Sequence, residues 1–529
     1  MTQIENHTDT GAGAGADAVS SGPATFDSLN PTTGDVVGTH PVHTEADVRA
    51  AVERAREAAA WWSALSFDER EALLTSWKGA MTRRVAQLAD LMHQETGKPH
   101  GDALLEAALA IDHLAWAAGH AGKVLRRRRV SSGMIMANQA ATLEYRPLGV
   151  IGVIGPWNYP VFTPMGSIGY ALAAGNAVVF KPSEYSPGIG EWLARTFQQV
   201  VGRPVLQVVT GLGETGAALC RSGVDKIAFT GSTATGKRVM ATCAETLTPV
   251  IIEAGGKDAL LVDEDADLEA AADAALWGAC SNAGQTCTGV ERIYVHDRVY
   301  DAFLASLTDK ARGLRADEGV GAQIGPITMP KQLDVIRGHI QDALDRGGRA
   351  VVGGLDAVGE RFVQPTILVD VPEDSRAVTE ETFGPTVTVA RVRDMDEAVE
   401  LTNATSFGLG STVFSKSRGP ELASRIRSGM TAINGVISFA AIPSLPFGGV
   451  GDSGFGRVHG ADGLREFTYP KAVARQRFRP ALALTSFTRT EKAEQQLAQL
   501  ITMLHGRGTT IAADERPAGR LGRLRRRDR

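Results

Sequence analysis

One of the four cysteines in the sequence has neighbours that suit a nucleophile. Cys287 lies in the polar, tight stretch Asn282-Ala-Gly-Gln-Thr-Cys-Thr-Gly, whereas buried structural cysteines usually lie among large aliphatic side chains. Cys220, Cys243 and Cys280 fit that structural role better. Because a thiolate nucleophile needs a lowered pKa or a nearby base, covalent catalysis by Cys287 requires a partner from elsewhere in the chain.

Two further residues have chemistry that such a cysteine could use. Glu253 ends an apolar run and precedes Gly255-Gly256, which predicts a rigidly held carboxylate, although a solvent-exposed loop glutamate explains the pattern equally well when it is taken alone. Asn158 follows Trp157 near the end of another apolar run. A side-chain amide at such a strand end can stabilise an oxyanion, or it can simply cap a turn. Neither residue decides a function by itself.

A third group of residues suggests binding sites for a phosphate and a ribose. The stretch from Gly231 to Lys237 nearly matches the P-loop pattern, but Arg238 stands where that loop needs a hydroxyl for magnesium. The stretch therefore predicts a phosphate contact at a helix start without nucleotide hydrolysis, with a structural glycine turn as the alternative. Lys181 and Glu184 end a neighbouring apolar run and could bind ribose hydroxyls, or form a surface ion pair.

The elements that must hold these residues are short apolar runs separated by segments of helical composition. This alternation predicts a parallel sheet covered by helices, and ligands bind at the carboxyl ends of such strands, which is where the candidate residues fall. The runs are Val150–Ile154, Ala177–Phe180, Val205–Val209, Lys226–Phe229 and Val250–Ile252.

Other elements are predicted on both sides of this sheet. Thr44 and Asp47 fit a capping box that opens an N-terminal helix. Residues 134–145 alternate weakly, as a hairpin arm does. A second α/β region with three strand-like runs follows, and near the end apolar residues at 497, 500, 501 and 504 have helical spacing. Those three runs are Ile293–Val295, Ala350–Val352 and Val387–Val389.

Composition narrows the range of partners. A chain of 529 residues with a net charge of −5 gives no reason to expect nucleic acid. The sequence has no apolar run long enough for a membrane span and no secretory signal. No C-x-x-C pair occurs, so neither a zinc ribbon nor a thioredoxin-type motif is supported and no metal site is predicted. Few cysteines and no signal predict a cytoplasmic protein.

Together and in this order, the motifs resemble those of the non-acylating branch of the NAD(P)-dependent aldehyde dehydrogenase superfamily. The resemblance spans about Thr25 to Arg475. The matching stretches begin at Gly155 (Gly-Pro-Trp-Asn-Tyr-Pro), Lys181 (Lys-Pro-Ser-Glu), Phe229 (Phe-Thr-Gly-Ser-Thr), Glu253 (Glu-Ala-Gly-Gly-Lys), Gly284 (Gly-Gln-Thr-Cys), Glu381 (Glu-Thr-Phe-Gly-Pro) and Pro446 (Pro-Phe-Gly-Gly).

The resemblance implies a role for each candidate residue. Cys287 would attack the aldehyde carbon, Asn158 and the Cys287 backbone N–H would hold the oxyanion, and hydride loss to the cofactor would leave a thioester. Glu253 would activate the water that hydrolyses it. Lys181 and Glu184 would hold the adenosine ribose, which favours NAD while leaving NADP possible. The implied cofactor-binding residues are Pro156, Trp157, Lys181, Ser183, Glu184, Gly231, Ser232, Glu381 and Phe383, with Ser232 at the pyrophosphate and Glu381 at the nicotinamide ribose.

The resemblance also implies an architecture of the α/β class. It comprises a disordered N-terminal segment, a Rossmann-like parallel-sheet NAD-binding domain, a β-hairpin oligomerisation arm, a second α/β catalytic domain, and an extension with a helix and an Arg-rich tail. Homodimers or homotetramers are expected. The boundaries, in that order, are 1–24; 25–133 with 147–254; 134–146 with part of 458–475; 255–446; and 476–529.

The substrate is the least defined part of this interpretation. The family usually has Leu at the position of Ala254 and often Lys at the position of Gly451. No arginine stands among the pocket residues, which favours an aliphatic or aromatic aldehyde over succinic semialdehyde or another semialdehyde, the main alternative. A coenzyme-A-acylating dehydrogenase, a P-loop NTPase and an inactive binding protein are weaker alternatives. The pocket residues implied are Tyr159, Phe162, Thr286, Thr288, Phe439 and Phe447.

Overall fold

A computed structural model describes residues 24–319, 321–480 and 485–506. Its N-terminal part is an antiparallel β-hairpin followed by four helices. The predicted capping box is confirmed, since Thr44 and Asp47 exchange hydrogen bonds at the start of α1. The hairpin was not predicted, and most of the predicted disordered segment lies outside the described residues. The elements are β1 (Thr25–Leu29), β2 (Val36–Pro41), α1 (Glu45–Ala64), α2 (Phe67–Arg83), α3 (Val85–Thr96) and α4 (His100–Leu125).

The next stretch contains two antiparallel strands and then the first parallel sheet. All five apolar runs predicted as strands form strands, with bounds that agree within one residue at each end. The elements are β3 (Arg128–Val130), β4 (Gln139–Pro147), β5 (Val150–Ile154), α5 (Phe162–Ala174), β6 (Ala177–Lys181), α6 (Pro187–Val201), β7 (Leu206–Val208), α7 (Gly213–Arg221), β8 (Lys226–Thr230), α8 (Thr233–Ala244) and β9 (Val250–Glu253).

The second α/β region contains the three predicted strands, now β11, β12 and β14, and four more that were not predicted. The elements are β10 (Asp258–Val262), α9 (Leu268–Cys280), β11 (Val290–His296), α10 (Tyr300–Arg312), α11 (Gln332–Asp345), β12 (Arg349–Val352), β13 (Thr366–Val369), α12 (Arg376–Thr379), β14 (Thr386–Val392), α13 (Met395–Asn403), β15 (Ser411–Phe414), α14 (Gly419–Arg425) and β16 (Ala432–Ile433). The chain ends with β17 (Gly454–Phe455), α15 (Gly460–Glu466), β18 (Thr468–Gln476) and α16 (Glu491–His505).

Two sheets form the frame of the molecule. The first has the order β17-β9-β8-β5-β6-β7, and all its neighbours are parallel except the short edge strand β17. The second has the order β12-β13-β14-β11-β10-β15-β16 and is parallel except at β12. Parallel strands place their carboxyl ends at one edge, so the candidate residues after β5, β6, β8 and β9 share an edge of the first sheet.

Helices pack on the first sheet through buried aromatic side chains. Trp62 of α1 and Trp77 of α2 are fully buried, and each indole N–H has an acceptor: Trp62 donates to the carbonyl oxygen of Leu172 at 2.8 Å and Trp77 to the hydroxyl of Thr196 at 3.2 Å. Burying such rings with their polar atoms satisfied contributes roughly 2–3 kcal/mol each, which fixes the helices against the strands.

The described residues divide into two compact units, 24–126 with 144–471, and 127–143 with those described from 472 to 506. The second unit contains a three-stranded sheet of order β18-β4-β3, and α16. The predicted hairpin differs in its first strand: β3 precedes the predicted start, and residues 131–138 form the connection. Three apolar residues of that connection, Met134, Ile135 and Met136, are exposed. None of the described helices has the length and apolar character that a bilayer crossing requires.

Candidate active site

A strained turn between α9 and β11 carries Cys287. Asn282 and Ala283 have φ values of 51° and 57°, a left-handed backbone that few non-glycine residues adopt. Gly284 follows at φ 71°, where a Cβ would come within 2.1 Å of the Gly384 carbonyl carbon. The Gln285 side chain locks the turn by donating to the carbonyl oxygen of Asn282 at 2.9 Å. The segment that leads into Cys287 is therefore rigid.

Cys287 lies in the wall between two cavities of about 930 and 820 Å³. Thr163, Thr230 and Ala254 also line both. The first cavity is mainly apolar, and the second is lined by the residues that the sequence assigned to the cofactor. A thiol in this position can reach ligands held in either space.

The Cys287 thiol is protonated in this environment. Burial raises its pKa well above the ordinary value, and negative charge on Glu253, Glu381 and Asp258 raises it further. The backbone N–H of Thr288 lowers the pKa only in part. A nucleophilic role for the thiol therefore requires a group that accepts its proton.

Glu253 ends β9 and lines the apolar cavity together with Cys287. Its side chain is buried, and burial raises the pKa of the carboxyl to about 8. One oxygen accepts a hydrogen bond of 3.3 Å from the Thr230 hydroxyl, and the other has no partner among the described residues. A carboxyl with a pKa near neutrality and a free oxygen suits general-base chemistry.

Asn158 lies in the loop after β5 and lines the second cavity with Cys287. Its amide donates one hydrogen bond, of 3.0 Å, to the carbonyl oxygen of Gln285, so the side chain is tied to the turn that carries the cysteine. The other amide proton is available to a ligand. Its backbone carbonyl accepts from Asn282 Nδ2 at 3.0 Å and from Lys98 Nζ at 2.9 Å.

A buried ion pair that the sequence did not reveal holds this loop. Lys98 and Glu106 have fully buried side chains and form a salt bridge. Glu106 also accepts hydrogen bonds from the backbone N–H groups of Val161 at 2.8 Å and Phe162 at 3.1 Å, while Lys98 Nζ lies 4.0 Å from the centre of the Tyr159 ring. The pair therefore fixes the loop carbonyl of Asn158 and the backbone that follows it.

The second cavity brings together six of the predicted cofactor residues: Pro156, Trp157, Gly231, Ser232, Glu381 and Phe383. Ser232 is the N-cap of α8, and its hydroxyl accepts from the N–H of Thr235 at 3.3 Å. At Gly231 a Cβ would come within 2.7 Å of the Phe229 ring, so glycine is required there. This close backbone next to a helix start is a suitable phosphate cradle.

A second buried ion pair holds the segment that carries Glu381. Glu291 accepts from the backbone N–H of Thr382 at 2.8 Å and of Phe383 at 2.9 Å, and Lys257 Nζ lies 2.5 Å from it. These contacts keep Phe383 at φ 51°. Burial raises the pKa of Glu381 to about 8. The Glu381 carboxylate is thus fixed at the cavity wall.

The remaining cofactor candidates lie at the end of β6. Lys181 is buried, with its Nζ 3.5 Å from a carboxylate oxygen of the partly exposed Glu184. Burial lowers the pKa of Lys181, and Glu184 partly offsets this. Ser183 donates to the same Glu184 oxygen at 3.3 Å. Glu184 lines a different cavity from Cys287, beside the N-terminal hairpin. Lys181 adjoins the Asn158 loop, because its carbonyl accepts from the N–H of Gly155 at 3.0 Å.

Five of the six predicted pocket residues line the apolar cavity with Cys287: Tyr159, Phe162, Thr286, Thr288 and Phe447. The sixth, Phe439, is not among the described residues that line this cavity. It is buried beside Gly410 and Asp258, and Ile437 lines the cavity instead. The reason is local: Asn434 and Ile437 have φ values of 52° and 54°, and in such an irregular turn residue spacing does not predict which side chain faces inward.

Several lining residues escaped the sequence analysis. Asp102, Leu105, Glu106 and Leu109 form one face of α4. Their spacing is that of one face of a helix. The sequence could therefore have predicted this face, but not that it lines the cavity. Others are Trp277, Val458 and His459. The cavity lining, as described, includes three acidic residues, Asp102, Glu106 and Glu253, and no Lys or Arg.

The stretch that resembles a P-loop does not direct its lysine at a ligand site. Lys237 is exposed, and its Nζ lies 3.3 Å from a carboxylate oxygen of Asp452. Only the glycine and the serine of this stretch, Gly231 and Ser232, line the second cavity. The geometry therefore fits a backbone phosphate contact rather than an NTPase.

Comparison with known proteins agrees with the fold and the site. The sequence profile of the aldehyde dehydrogenase family matches residues 18–473. The chain is 38% identical over 451 residues to a 4,4'-diapolycopene aldehyde oxidase of Methylomonas sp., covering 84% of this chain and 85% of the relative. It is 36% identical over 454 residues to the NADP-dependent succinate-semialdehyde dehydrogenase of Escherichia coli, covering 84% and 92%. The crystal structure of an NAD-dependent aldehyde dehydrogenase from Sinorhizobium meliloti superposes with a TM-score of 0.83 at 33% identity, covering 87% of this chain and 93% of that one.

The match of this fold and sequence to these proteins defines the class as an oxidoreductase that acts on aldehydes. The chain belongs to the aldehyde dehydrogenase family, whose members use NAD or NADP. The predicted family and fold class are thereby confirmed.

Proposed function

We propose that the protein oxidises a neutral aldehyde to its carboxylic acid with Cys287 as the nucleophile, and that NAD is the preferred cofactor. The observation that carries this proposal is the position of Cys287 in the wall shared by the two cavities. An aldehyde in the first cavity and a cofactor in the second would then meet at the sulfur.

The residues around the thiol supply the steps. Glu253 takes the thiol proton, the sulfur attacks the aldehyde carbon, and the free amide proton of Asn158 with the Cys287 N–H stabilises the oxyanion. The bound nicotinamide cofactor supplies the hydride acceptor. Glu253 then activates the water that hydrolyses the thioester on Cys287. A carboxyl placed for this hydrolysis favours release of a free acid over transfer to coenzyme A.

The second cavity fits a dinucleotide. Gly231 and the start of α8 would hold a phosphate, and Glu381 would accept hydrogen bonds from a ribose. Glu184 has its carboxylate partly exposed next to Lys181, so it would accept from a 2′-hydroxyl and repel a 2′-phosphate. That charge supports NAD, as in the S. meliloti relative, over NADP, as in the E. coli relative.

The charge of the aldehyde cavity supports a neutral substrate. The carboxylate of a semialdehyde would meet Asp102 and Glu106, with no Lys or Arg in the described lining to pair with it. Lys98 is close by, but it is already paired with Glu106 under the Tyr159 ring. The relative that is named for an aldehyde of a carotenoid agrees better with this lining than the relative named for succinate semialdehyde.

The test is NADH formation over a panel of neutral and carboxylated aldehydes, repeated with NADP. Turnover of neutral aldehydes with NAD is expected, and no turnover with any aldehyde refutes the proposal. Cys287→Ala should abolish oxidation while retaining cofactor binding by calorimetry. Cys280→Ala is the matched control, because that buried thiol belongs to the last residue of α9 and lines neither cavity.

We also propose a homo-oligomer, a dimer or a tetramer, and a cytoplasmic location. The exposed Met134, Ile135 and Met136 of the second unit support an assembly contact. Light scattering on the purified chain tests it: a monomer at micromolar concentration contradicts the assembly, and replacing these three residues with Ser should lower the mass of an oligomer.

A further inference from the structure

Two buried histidines lie together, and one of them lines the aldehyde cavity. His459 lines this cavity and is 2% exposed, and His113 is fully buried. Their ring centres are 4.0 Å apart. Phe162 and Phe447 lie 5.4 and 5.5 Å from the His459 ring. The mechanism above uses neither histidine.

The pair has unused hydrogen-bonding atoms. Neither ring nitrogen of His459 has a hydrogen-bond partner among the described residues. His113 Nε2 lies 3.0 Å from the carbonyl oxygen of Ala440, so it carries the proton and donates it. His113 Nδ1 is then an acceptor, and it too has no partner in the described part of the chain. Buried polar atoms without partners are rare and call for an explanation such as a ligand or water.

The fold makes room for His459 at a definite position. The backbone of His459 is left-handed at φ 62°. At Gly166 of α5 a Cβ would lie 2.6 Å from His459 Nε2, so any other residue there would displace the ring. The next residue, Gly460, donates its N–H to the Tyr170 hydroxyl at 3.3 Å and to the Pro443 carbonyl at 3.0 Å. A strained residue held in this way often marks a functional site.

Both rings are neutral. Burial lowers the pKa of His113 to about 4, and burial with the neighbouring His113 lowers the pKa of His459 well below its ordinary value. A neutral imidazole offers one donor and one acceptor. A hydroxyl group can pair with both the donor and the acceptor, because it accepts and donates a hydrogen bond. A carboxylate only accepts, so it leaves the acceptor nitrogen of the imidazole without a partner.

We propose that His459 and His113 form a subsite for a hydroxyl group of the substrate, so that the preferred substrates are neutral aldehydes with an alcohol remote from the aldehyde carbon. This rests on the proposed function of the cavity. The apolar lining would hold the carbon skeleton, and the pair would bind the hydroxyl. A site built to bind a hydroxyl discriminates strongly against an analogue that lacks it.

The test compares matched substrates. Pairs such as 4-(hydroxymethyl)benzaldehyde with 4-ethylbenzaldehyde, and ω-hydroxyalkanals with alkanals of equal length, differ in the hydroxyl alone. In the unaltered enzyme kcat/KM should be about tenfold higher for the hydroxyl member of at least one pair. His459→Leu should bring this ratio close to one, while His459→Asn, which keeps a donor and an acceptor and tolerates a positive φ, should retain part of it.

The control is His120→Leu, which removes a half-buried histidine stacked on Trp116 outside the cavity and should leave the ratio unchanged. No preference in any pair, an unchanged ratio in His459→Leu, or a preference for 4-carboxybenzaldehyde overturns the inference. Calorimetry of each substrate pair binding to the Cys287→Ala variant separates the proposed hydroxyl subsite from the proposed oxidation. A hydroxyl preference there supports the subsite even if no aldehyde is oxidised, and equal affinities refute it even if oxidation is fast.

Discussion

Replacing Thr230 with Val tests whether Glu253 is the general base, because the Thr230 hydroxyl donates the hydrogen bond of 3.3 Å to the Glu253 carboxylate. The two residues are paired in register on the adjacent strands β8 and β9, and Val keeps the shape of Thr. The substitution therefore removes a stabilising contact to the charged form of Glu253 and alters little else.

The expected magnitude follows from the pKa of Glu253, which burial raises to about 8. A base with that pKa is roughly one-tenth ionised at pH 7, so the rate of deacylation should rise about tenfold between pH 7 and pH 9. Loss of a hydrogen bond to a charged group costs about 1.5 kcal/mol, or about one pKa unit. Thr230→Val should thus be about tenfold slower than the unaltered enzyme at pH 7 and should approach it above about pH 10.

The assay is the steady-state rate of NADH formation after the initial burst, measured from pH 6 to pH 10, since this phase reports hydrolysis of the thioester. Thr230→Ser keeps the hydroxyl and should keep the original profile. A Thr230→Val profile that does not move, or a rate lowered by the same factor at every pH, would show that the base is another group.

Three further substitutions test the surroundings of the site. Glu184→Gln removes the charge that would repel a 2′-phosphate, so kcat/KM for NADP should rise about tenfold relative to NAD; an unchanged ratio means that Glu184 does not face the ribose. Glu291→Gln should raise the KM for NAD about tenfold and the KM for the aldehyde less than twofold, because it frees the backbone next to Glu381, the proposed ligand of the nicotinamide ribose. Equal effects on the two KM values would contradict this role of Glu291. Lys98→Met leaves Glu106 buried without its partner and should lower the free energy of unfolding by about 3 kcal/mol in a denaturant titration. The control, Lys237→Met, breaks an exposed ion pair and should lower the free energy of unfolding by less than about 1 kcal/mol. Equal losses in the two variants would show that the buried pair of Lys98 and Glu106 stabilises the fold no more than an exposed one.

Five of the six strands of the first sheet could be predicted from sequence because each is largely buried and reads as an apolar run between polar turns. Strands of the second sheet were less evident. In β14, Thr386 and Thr388 alternate with valines, and β16 has only two residues. The N-terminal hairpin was missed because Thr25–Leu29 has one buried residue, Ser28, and no apolar period.

The chemistry of the site was predictable where it depends on residue type, as at Cys287, Glu253 and Asn158, whose roles remain proposals. Residues that reach the site from elsewhere in the chain were not. Lys98 and Glu106 are buried charges that hold a loop some sixty residues later in the chain. His459 occupies its position because Gly166, on the distant helix α5, leaves room for the ring. Long-range pairings of this kind leave no local pattern.

The electrostatics of the pair Cys287 and Glu253 explain why one carboxyl can serve both halves of the proposed reaction. Negative charge on Glu253 raises the pKa of the thiol, and burial makes charge on either group unfavourable. At most one of the two groups therefore carries a negative charge, and a proton that moves from sulfur to carboxylate leaves the total charge of the pair constant. Once the sulfur is bonded to the substrate carbon it can no longer ionise, so no thiolate charge opposes ionisation of Glu253 at the stage when the thioester needs a base to activate water.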